Sequence, residues 1–330
     1  MPPPQVGERV LRAYTPLRVP FAGGLTDLKE YAERFGGVTV SSTVDRGVLV
    51  SVGESKDGAW WLRWGSRELT ASDLGSLDAD LVRECALQVG YDGPALDVKI
   101  EVQAEDHGGL GASGAVCVTL VHAFRALRGE RPTAEALAID AANVEVERLG
   151  GASGYHDPHV CARGGLLLAR YDGAAVTARR LAPPEGFLTR FQRSLLFFET
   201  NRQASTKASL RRLAGGLGSA LDVLHEIKAL GEVTADAFEA GDLPSLARCI
   251  DRQQHLKQQL PGAFVDDFVL DVGERVRSLG AAVQFPGGKI GAYAMVCCPD
   301  GQQERVRNAL AGLREVYLRL TDEGARLLDA

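Results

Sequence analysis

The sequence predicts an α+β fold in two domains, on three observations. A chain of 330 residues is long enough for two domains. Short alternating apolar runs separated by glycine turns dominate the first half, and long amphipathic runs dominate the second. Strands separated by helices point to an α+β sandwich.

In order, residues 17–22, 38–44, 47–52, 60–63 and 96–102 read as strands. Helices are expected at 76–90, 113–128 and 133–149, the last with Thr133 as N-cap behind Pro132. Residues 164–169 and 175–181 read as a hairpin. The run Pro183-Pro184-Glu185-Gly186 divides the chain into domains at 1–185 and 186–330. The second part is expected to hold a strand at 191–199, helices at 204–231, 233–258 and 264–279, an apolar strand at 292–298 and a final helix at 301–328. No internal repeat or low-complexity tract is visible.

Composition narrows the function classes. A hydrophobic content of 45% supports a buried core rather than a disordered chain. The net charge of −6 and the absence of a basic stripe argue against nucleic acid as a partner. None of the six cysteines forms a C-x-x-C pair, and most lie in apolar runs. Buried reduced thiols in a cytoplasmic protein are the reading. No apolar run approaches the roughly 20 residues a membrane span needs, so no membrane partner is expected. The opening Met1-Pro2-Pro3-Pro4-Gln5 does not read as a signal peptide.

Three segments carry the chemistry. The first is Gly108-Gly109-Leu110-Gly111-Ala112-Ser113-Gly114, between the strand at 96–102 and the helix at 113–128. A glycine turn lets backbone N–H groups approach a ligand, and the helix N-terminus behind it adds roughly half a positive charge. Together they form a phosphate seat. Gly109-x-Gly111-x-x-Gly114 also fits a dinucleotide fingerprint, but the following helix runs into another helix instead of a second parallel strand. No G-x4-G-K-(S/T) motif exists. The second segment, Arg18-Val19-Pro20-Phe21-Ala22-Gly23-Gly24-Leu25-Thr26-Asp27-Leu28, ends a strand in a tight turn. A hydroxyl beside a short carboxylate suits sugar hydroxyls, and a plain capped turn is the competing reading. The third runs from Gly150 to His159 after a helix carrying Glu145 and Glu147. Asp157 suits a base or a magnesium ligand. His156, Asp157 and His159 form an alternative metal group that lacks a regularly spaced fourth ligand.

Together these segments resemble the GHMP kinases, and within them the sugar kinases of the D-glycero-D-manno-heptose 7-phosphate type. That branch opens R-(I/V)-x-F-A-G-G-G-T-D-L, which residues 18–28 match nearly throughout. The family's loop P-x3-G-L-G-S-S appears at 105–113, and the branch's G-x-Q-D-Q-Y motif with its trailing G-G at 154–165. The resemblance continues through Asn201-Arg202-Gln203-Ala204-Ser205 and covers most of the chain.

The resemblance implies a GHMP kinase fold, with an N-terminal ribosomal-protein-S5-domain-2-like domain and a C-terminal ferredoxin-like α/β sandwich. It implies ATP and Mg2+ as cofactors and a small-molecule sugar phosphate as partner; a homodimer is compatible with it. Ser113 and Glu145 match the metal ligands, with Glu147 as the fallback. Asp157 matches the residue that deprotonates the sugar hydroxyl, and Arg18 the residue beside the transferred phosphate. Gly24, Thr26 and Asp27 would bind the sugar. Arg202 and Lys207 are candidates for a second basic site, ahead of Arg179 and Arg180. The implied reaction places phosphate on the anomeric hydroxyl of a heptose phosphate, or of an octose phosphate as in lincosamide antibiotic assembly.

The chain also departs from the pattern. Glu105 replaces the loop proline, His107 enters the loop, Ala112 replaces the first loop serine and Pro158 replaces a glutamine. The C-terminal G-A-G-G-G-G-F is degraded to residues 287–293, with Lys289 and Ile290 inside it. These changes imply a remodelled substrate pocket. Retention of Arg18, Ser113, Glu145 and Asp157 implies an active kinase rather than a dead homologue. Trp60, Trp61 and Trp64 read as packing or an interface before they read as a nucleotide site.

Overall fold

The computed structural model describes residues 10–104, 108–150, 153–202, 206–262, 264–288, 291–298 and 301–328, the side chains at 206 and 207 excepted. The first sheet is built around one long strand, Gly37–Glu54. Its first half pairs with Leu166–Asp172, in register Gly37↔Tyr171 to Ser42↔Leu166. Its second half pairs with Leu96–Val102, in register Val48↔Val102 to Glu54↔Leu96. Strand Leu11–Ala22 runs antiparallel along its other edge, with a register shift between Pro16 and Arg18. Sequence alone splits the long strand in two, because the exposed pair Asp45 and Arg46 interrupts the apolar alternation where the partner changes. The hairpin of Trp60–Trp64 and Arg67–Ala71 extends the sheet through a parallel pairing with Leu96–Val102.

Helix Ala112–Leu127 is buried without interruption from Gly114 to Phe124. It has no polar face because the sheet lies on one side and helices Asp80–Gln88, Ala134–Ala142 and His156–Arg163 lie on the other. The second sheet is antiparallel, in the order Arg314–Val316, Leu195–Glu199, Tyr293–Cys297, Ala282–Gln284. Both its faces are apolar, which explains the continuous apolar runs. Leu196, Phe198 and Val296 enter one core with helix Asp267–Arg277, while Leu195, Phe197 and Met295 face the main core.

Several expected elements differ. The helices after 204 are Thr206–Gly215, Leu217–Ala240 and Leu243–Lys257. The break expected near Gly231 is absent. Gly231 is a contact glycine whose missing Cβ would meet Val38 Cγ1 at 2.8 Å. The real break is Gly241, in the left-handed region, followed by Asp242 capping Ser245 N–H and by Pro244 in the first helical turn. Residues 187–194 form a helix, and the strand begins only at Leu195. The expected helix at 301–328 is helix Gln303–Ala309 followed by three short strands. Two of these, Leu320–Thr321 and Arg326–Leu328, return to the first sheet beside Gly37–Glu54 and Leu11–Ala22. The C-terminal end is therefore shared with the first sheet across the Pro183-Pro184 run. None of the six cysteines forms a disulfide, and all six are buried. Among the described residues no helix is long and apolar enough to cross a membrane.

Candidate active site

A cleft of about 1140 Å³ opens where the two sheets meet, and the phosphate seat lies in its wall. Gly111 caps helix Ala112–Leu127 in the left-handed conformation, φ +74°, which glycine adopts without steric cost. The turn before it is tied to strand Leu11–Ala22. Arg18 N–H donates to the Leu110 carbonyl at 2.9 Å, and Arg18 Nη1 donates to the Gly109 carbonyl at 2.6 Å. Gly108, Gly109, Gly111, Ala112 and Ser113 line the cleft. Leu110 is in the core. Gly114 backs onto helix His156–Arg163, where an added Cβ would meet Asp157 Cβ at 2.6 Å. Residues 105–107, with Glu105 and His107, lie outside the described residues.

Asp157 stands in the first turn of that helix, facing the seat. Its Oδ1 accepts from Arg18 Nε at 2.7 Å and from Nη2 at 2.5 Å. Burial works against the charge on Arg18, but Asp157, with Cys161 and Asp27 adding to it, offsets that cost, so the guanidinium is held above its usual range. Glu145 is buried and lines the same cleft. Burial first, then repulsion from Asp157, raises it to about 7, against hydrogen bonds from Ser113 and Ser153. Its Oε2 is buried with no hydrogen-bond partner. An orphaned carboxylate oxygen beside a serine hydroxyl at a phosphate seat fits a magnesium ion, whose remaining positions go to phosphate oxygens and water. Among the described residues no group of three His, Cys, Asp or Glu converges as a metal site. The alternative His156–Asp157–His159 group does not assemble. His156 Nε2 bonds Ser41 Oγ at 2.6 Å, and His159 Nδ1 bonds Arg163 Nη1 at 2.6 Å.

Glu145 gets its direction from an irregularity. The expected helix at 133–149 is α-helical only over Ala134–Ala142 and continues as a π-helix over Asn143–Arg148. Such wide turns cluster at functional sites. Glu145 and Val146 are buried, while Glu147 turns outward to Lys29 Nζ at 2.5 Å and Tyr155 Oη at 3.2 Å.

The turn at 23–28 supplies the other wall. Asp27 Oδ1 accepts Leu25 N–H at 3.0 Å and its Oδ2 accepts His156 N–H at 3.2 Å. Burial and then Asp157 raise this carboxyl to about 6. Asp27 and Gly24 line the cleft. Thr26 does not. Its hydroxyl donates to the carbonyls of Gly23 and Val38 and accepts Val38 N–H, so it holds the turn closed. Leu25, where the branch motif has its third glycine, sits at φ +82°, a strain of roughly 1–2 kcal/mol for a side chain with a Cβ. The leucine packs among Leu28, Tyr31, Leu210 and Leu213. It thus carries apolar bulk into this wall of the cleft.

The two residues proposed for a second basic site divide. Arg202 is half-exposed, 3.7 Å from Asp266 and stacked on the Phe268 ring, and is not among the described lining residues. The side chain of Lys207 lies outside the described residues. Arg179 and Arg180 pair with Glu239 and Asp322 on the hairpin edge. Lys289 and Ile290 also lie outside. Sequence reasoning missed Gln253, Lys257 and Gln284, which line the cleft from the second half of the chain. Lys257 sits in an ordinary amphipathic run, and no local signal separates it from a surface lysine. Of the tryptophans, Trp60 is core, Trp61 Nε1 donates to Asp57, and Trp64 lines the cleft.

The buried titrating groups set an acid limit on stability. Burial, then Arg18, holds His156 down at about 3; burial, then Arg163, does the same for His159. Each contributes stability that is complete above an unfolded value of roughly 6.5 and is lost as pH falls toward the folded value. Asp27 and Glu145 act in the opposite sense: their contribution is full below roughly pH 4 and is lost as pH rises through about 6 and about 7. Thermal melts without added metal ions are expected to give a Tm nearly flat from about pH 7 to about pH 5, then falling below about pH 4.5 as the histidines dominate. His159→Gln is expected to move that acid limb to lower pH. A Tm that climbs steadily down to about pH 4 would contradict neutral buried histidines.

Fold and site define the class: two sheets with a glycine phosphate turn capping a buried helix at their junction. Residues 79–165 match the family model "GHMP kinases N terminal domain". It is 22% identical over 264 residues to the D-glycero-alpha-D-manno-heptose 7-phosphate kinase of Campylobacter jejuni, covering 76% of this chain and 78% of that protein. Among solved structures it is similar to a D-glycero-D-manno-heptose 1-phosphate kinase from Bacteriodes thetaiotaomicron (TM-score 0.80, 19% identity, 97% of this chain and 99% of that one). A galactokinase from Lactococcus lactis, complexed with galactose, has a TM-score of 0.76 at 13% identity, covering 97% and 95% of the two chains. These likenesses establish the GHMP kinase fold.

Proposed function

We propose that this chain is an ATP-dependent sugar-phosphate kinase acting on the anomeric 1-hydroxyl of a heptose or octose phosphate, yielding a sugar 1-phosphate ready for nucleotidyl transfer. The observation that carries this reading is the Arg18–Asp157 pair, which joins the phosphate seat to the helix His156–Arg163, whose His156 N–H in turn donates to Asp27 of the 23–28 turn, all lining one cleft. Phosphoryl transfer needs positive charge on the moving group and an aligned nucleophile. Backbone N–H groups at 108–113 and the helix N-terminus would bind the nucleotide phosphates. Arg18 would face the transferred group. Asp157 Oδ1 is engaged by Arg18, while Oδ2 accepts no hydrogen bond among the described residues. That oxygen is the one to accept the acceptor hydroxyl's proton. Asp27, through its cleft-facing carboxyl, would orient neighbouring sugar hydroxyls. Ser113 and Glu145 would hold Mg2+, which supplies positive charge to the phosphates when bound. The similarity to a heptose 7-phosphate kinase supports the acceptor class. Cytoplasmic location follows from such a role.

Incubation with Mg-ATP and a panel of free sugars, hexose, heptose and octose phosphates is expected to give turnover on a heptose or octose phosphate. Phosphorus NMR is expected to place the new phosphate on the anomeric carbon. Turnover only on mevalonate- or homoserine-type alcohols would refute the sugar assignment, and a non-anomeric product would refute the position.

A further inference from the structure

The last turn of helix Leu243–Lys257 touches both walls of the cleft. Gln253 Oε1 accepts Gly23 N–H of the acceptor turn at 3.0 Å, and Gln254 Oε1 accepts Phe285 N–H at 3.0 Å. Lys257 Nζ donates to the carbonyls of Phe285 at 2.6 Å and Gly287 at 2.9 Å. The turn it grips backs directly onto the phosphate seat. An added Cβ on Gly287 would meet Gly109 Cα at 2.7 Å, and one on Gly109 would meet the Pro286 carbonyl at 2.4 Å. Arg18 therefore holds Gly109, Lys257 holds Gly287, and the two glycines touch.

Lys257 is 2% exposed and lines the cleft. Among the described residues no carboxylate lies within ion-pair distance of its ammonium. An ammonium has three N–H donors, and two are used by carbonyls. Burying such a charge is costly unless it is paired. Burial, then nearby Arg18, brings Lys257 down to about 7. The described residues supply it no counter-charge, it faces the cleft, and the seat next to it is built for phosphate.

We propose that Lys257 is a phosphate ligand, its third N–H donating to an anionic oxygen of a phosphate group bound beside the Gly109–Gly287 contact. This rests on the kinase reading for the source of the phosphate, either the nucleotide or the acceptor's own ester, but not for the anion site itself. The carbonyls of Phe285 and Gly287 thereby aim a cation toward the seat.

The test uses Lys257→Met, which keeps the unbranched stem against Phe264, and Lys257→Gln, which keeps a donor for the turn. Binding of pyrophosphate, Mg-AMPPNP, Mg-ADP, heptose 7-phosphate and free heptose is measured by calorimetry on the whole chain, with Tm recorded for each variant. Both variants are expected to weaken pyrophosphate roughly 10–100-fold, the scale of one charge-assisted hydrogen bond, with Tm kept or raised. A matching loss for Mg-AMPPNP but not Mg-ADP identifies the transferred phosphate as the partner. A loss for heptose 7-phosphate but not free heptose identifies the acceptor's ester. Unchanged affinities for every phosphate probe, or no phosphate binding by the unsubstituted chain, overturn the assignment. Loss of pyrophosphate binding in a chain that binds neither AMPPNP nor heptose 7-phosphate upholds Lys257 and refutes the kinase reading instead.

Discussion

Asp157→Asn is expected to lower kcat by about 10²–10⁴-fold, the range for loss of a positioned general base, while the protein remains folded. The substitution is isosteric, and the amide oxygen can still accept from Arg18. What disappears is the oxygen able to take a proton, together with one negative charge. Two changes then oppose each other. Arg18 loses the charge that offsets its burial, which destabilises the site. Glu145 and Asp27 lose a neighbour that raises both of them, which relaxes it. The asparagine variant should therefore melt within a few degrees of the unsubstituted chain and bind nucleotide normally. Initial rates of ADP release with the acceptor found in the panel, alongside Tm and acceptor KM, decide the point. Full turnover with normal KM would remove Asp157 from the role of base. A collapse in Tm would show that the charge pair is chiefly structural.

Much of this site was legible in sequence, because glycine-rich turns and short carboxylates leave local signatures. The seat at 108–114, the turn at 23–28 and Asp157 are each contiguous, and contiguous motifs survive without knowledge of the fold. Glu145 was reachable through its spacing to Asp157, although the π-helix that orients it has no mark in the sequence. The misses share a cause: their function depends on contacts distant in the chain. Gly231 reads as a breaker until Val38 is seen against it. Thr26 reads as a sugar contact until its hydroxyl is found between Gly23 and Val38. Lys257 lies 148 positions after Gly109 in the sequence, and only the 285–288 turn brings them into one wall. The short strands near the C-terminus were hidden for a related reason: two- and three-residue strands hold their shape through partners at 12–14 and 43–44, not through their own periodicity.

Arg18→Met is expected to damage stability and chemistry together. Arg18 lies on the strand that ties down the phosphate turn, and its guanidinium contacts both the turn carbonyl and Asp157. Removing it leaves Asp157, Asp27 and Glu145 facing one another without their shared cation. Breaking a buried pair by deleting one partner costs about 3–5 kcal/mol, and methionine fills the stem without replacing the charge. Loss of a cation aimed at a transferring phosphoryl group costs about 10³-fold in rate. The double variant Arg18→Met with Asp157→Asn separates the two effects. If the pair is coupled as the geometry requires, urea unfolding will show the double variant more stable than Arg18→Met alone, because the orphaned carboxylate is gone. Its kcat will not recover, since both the cation and the base are then missing. Additive stability losses would mean that Arg18 and Asp157 act independently. Recovered activity in the double variant would mean that Arg18 serves only to neutralise Asp157 and has no part in the transfer.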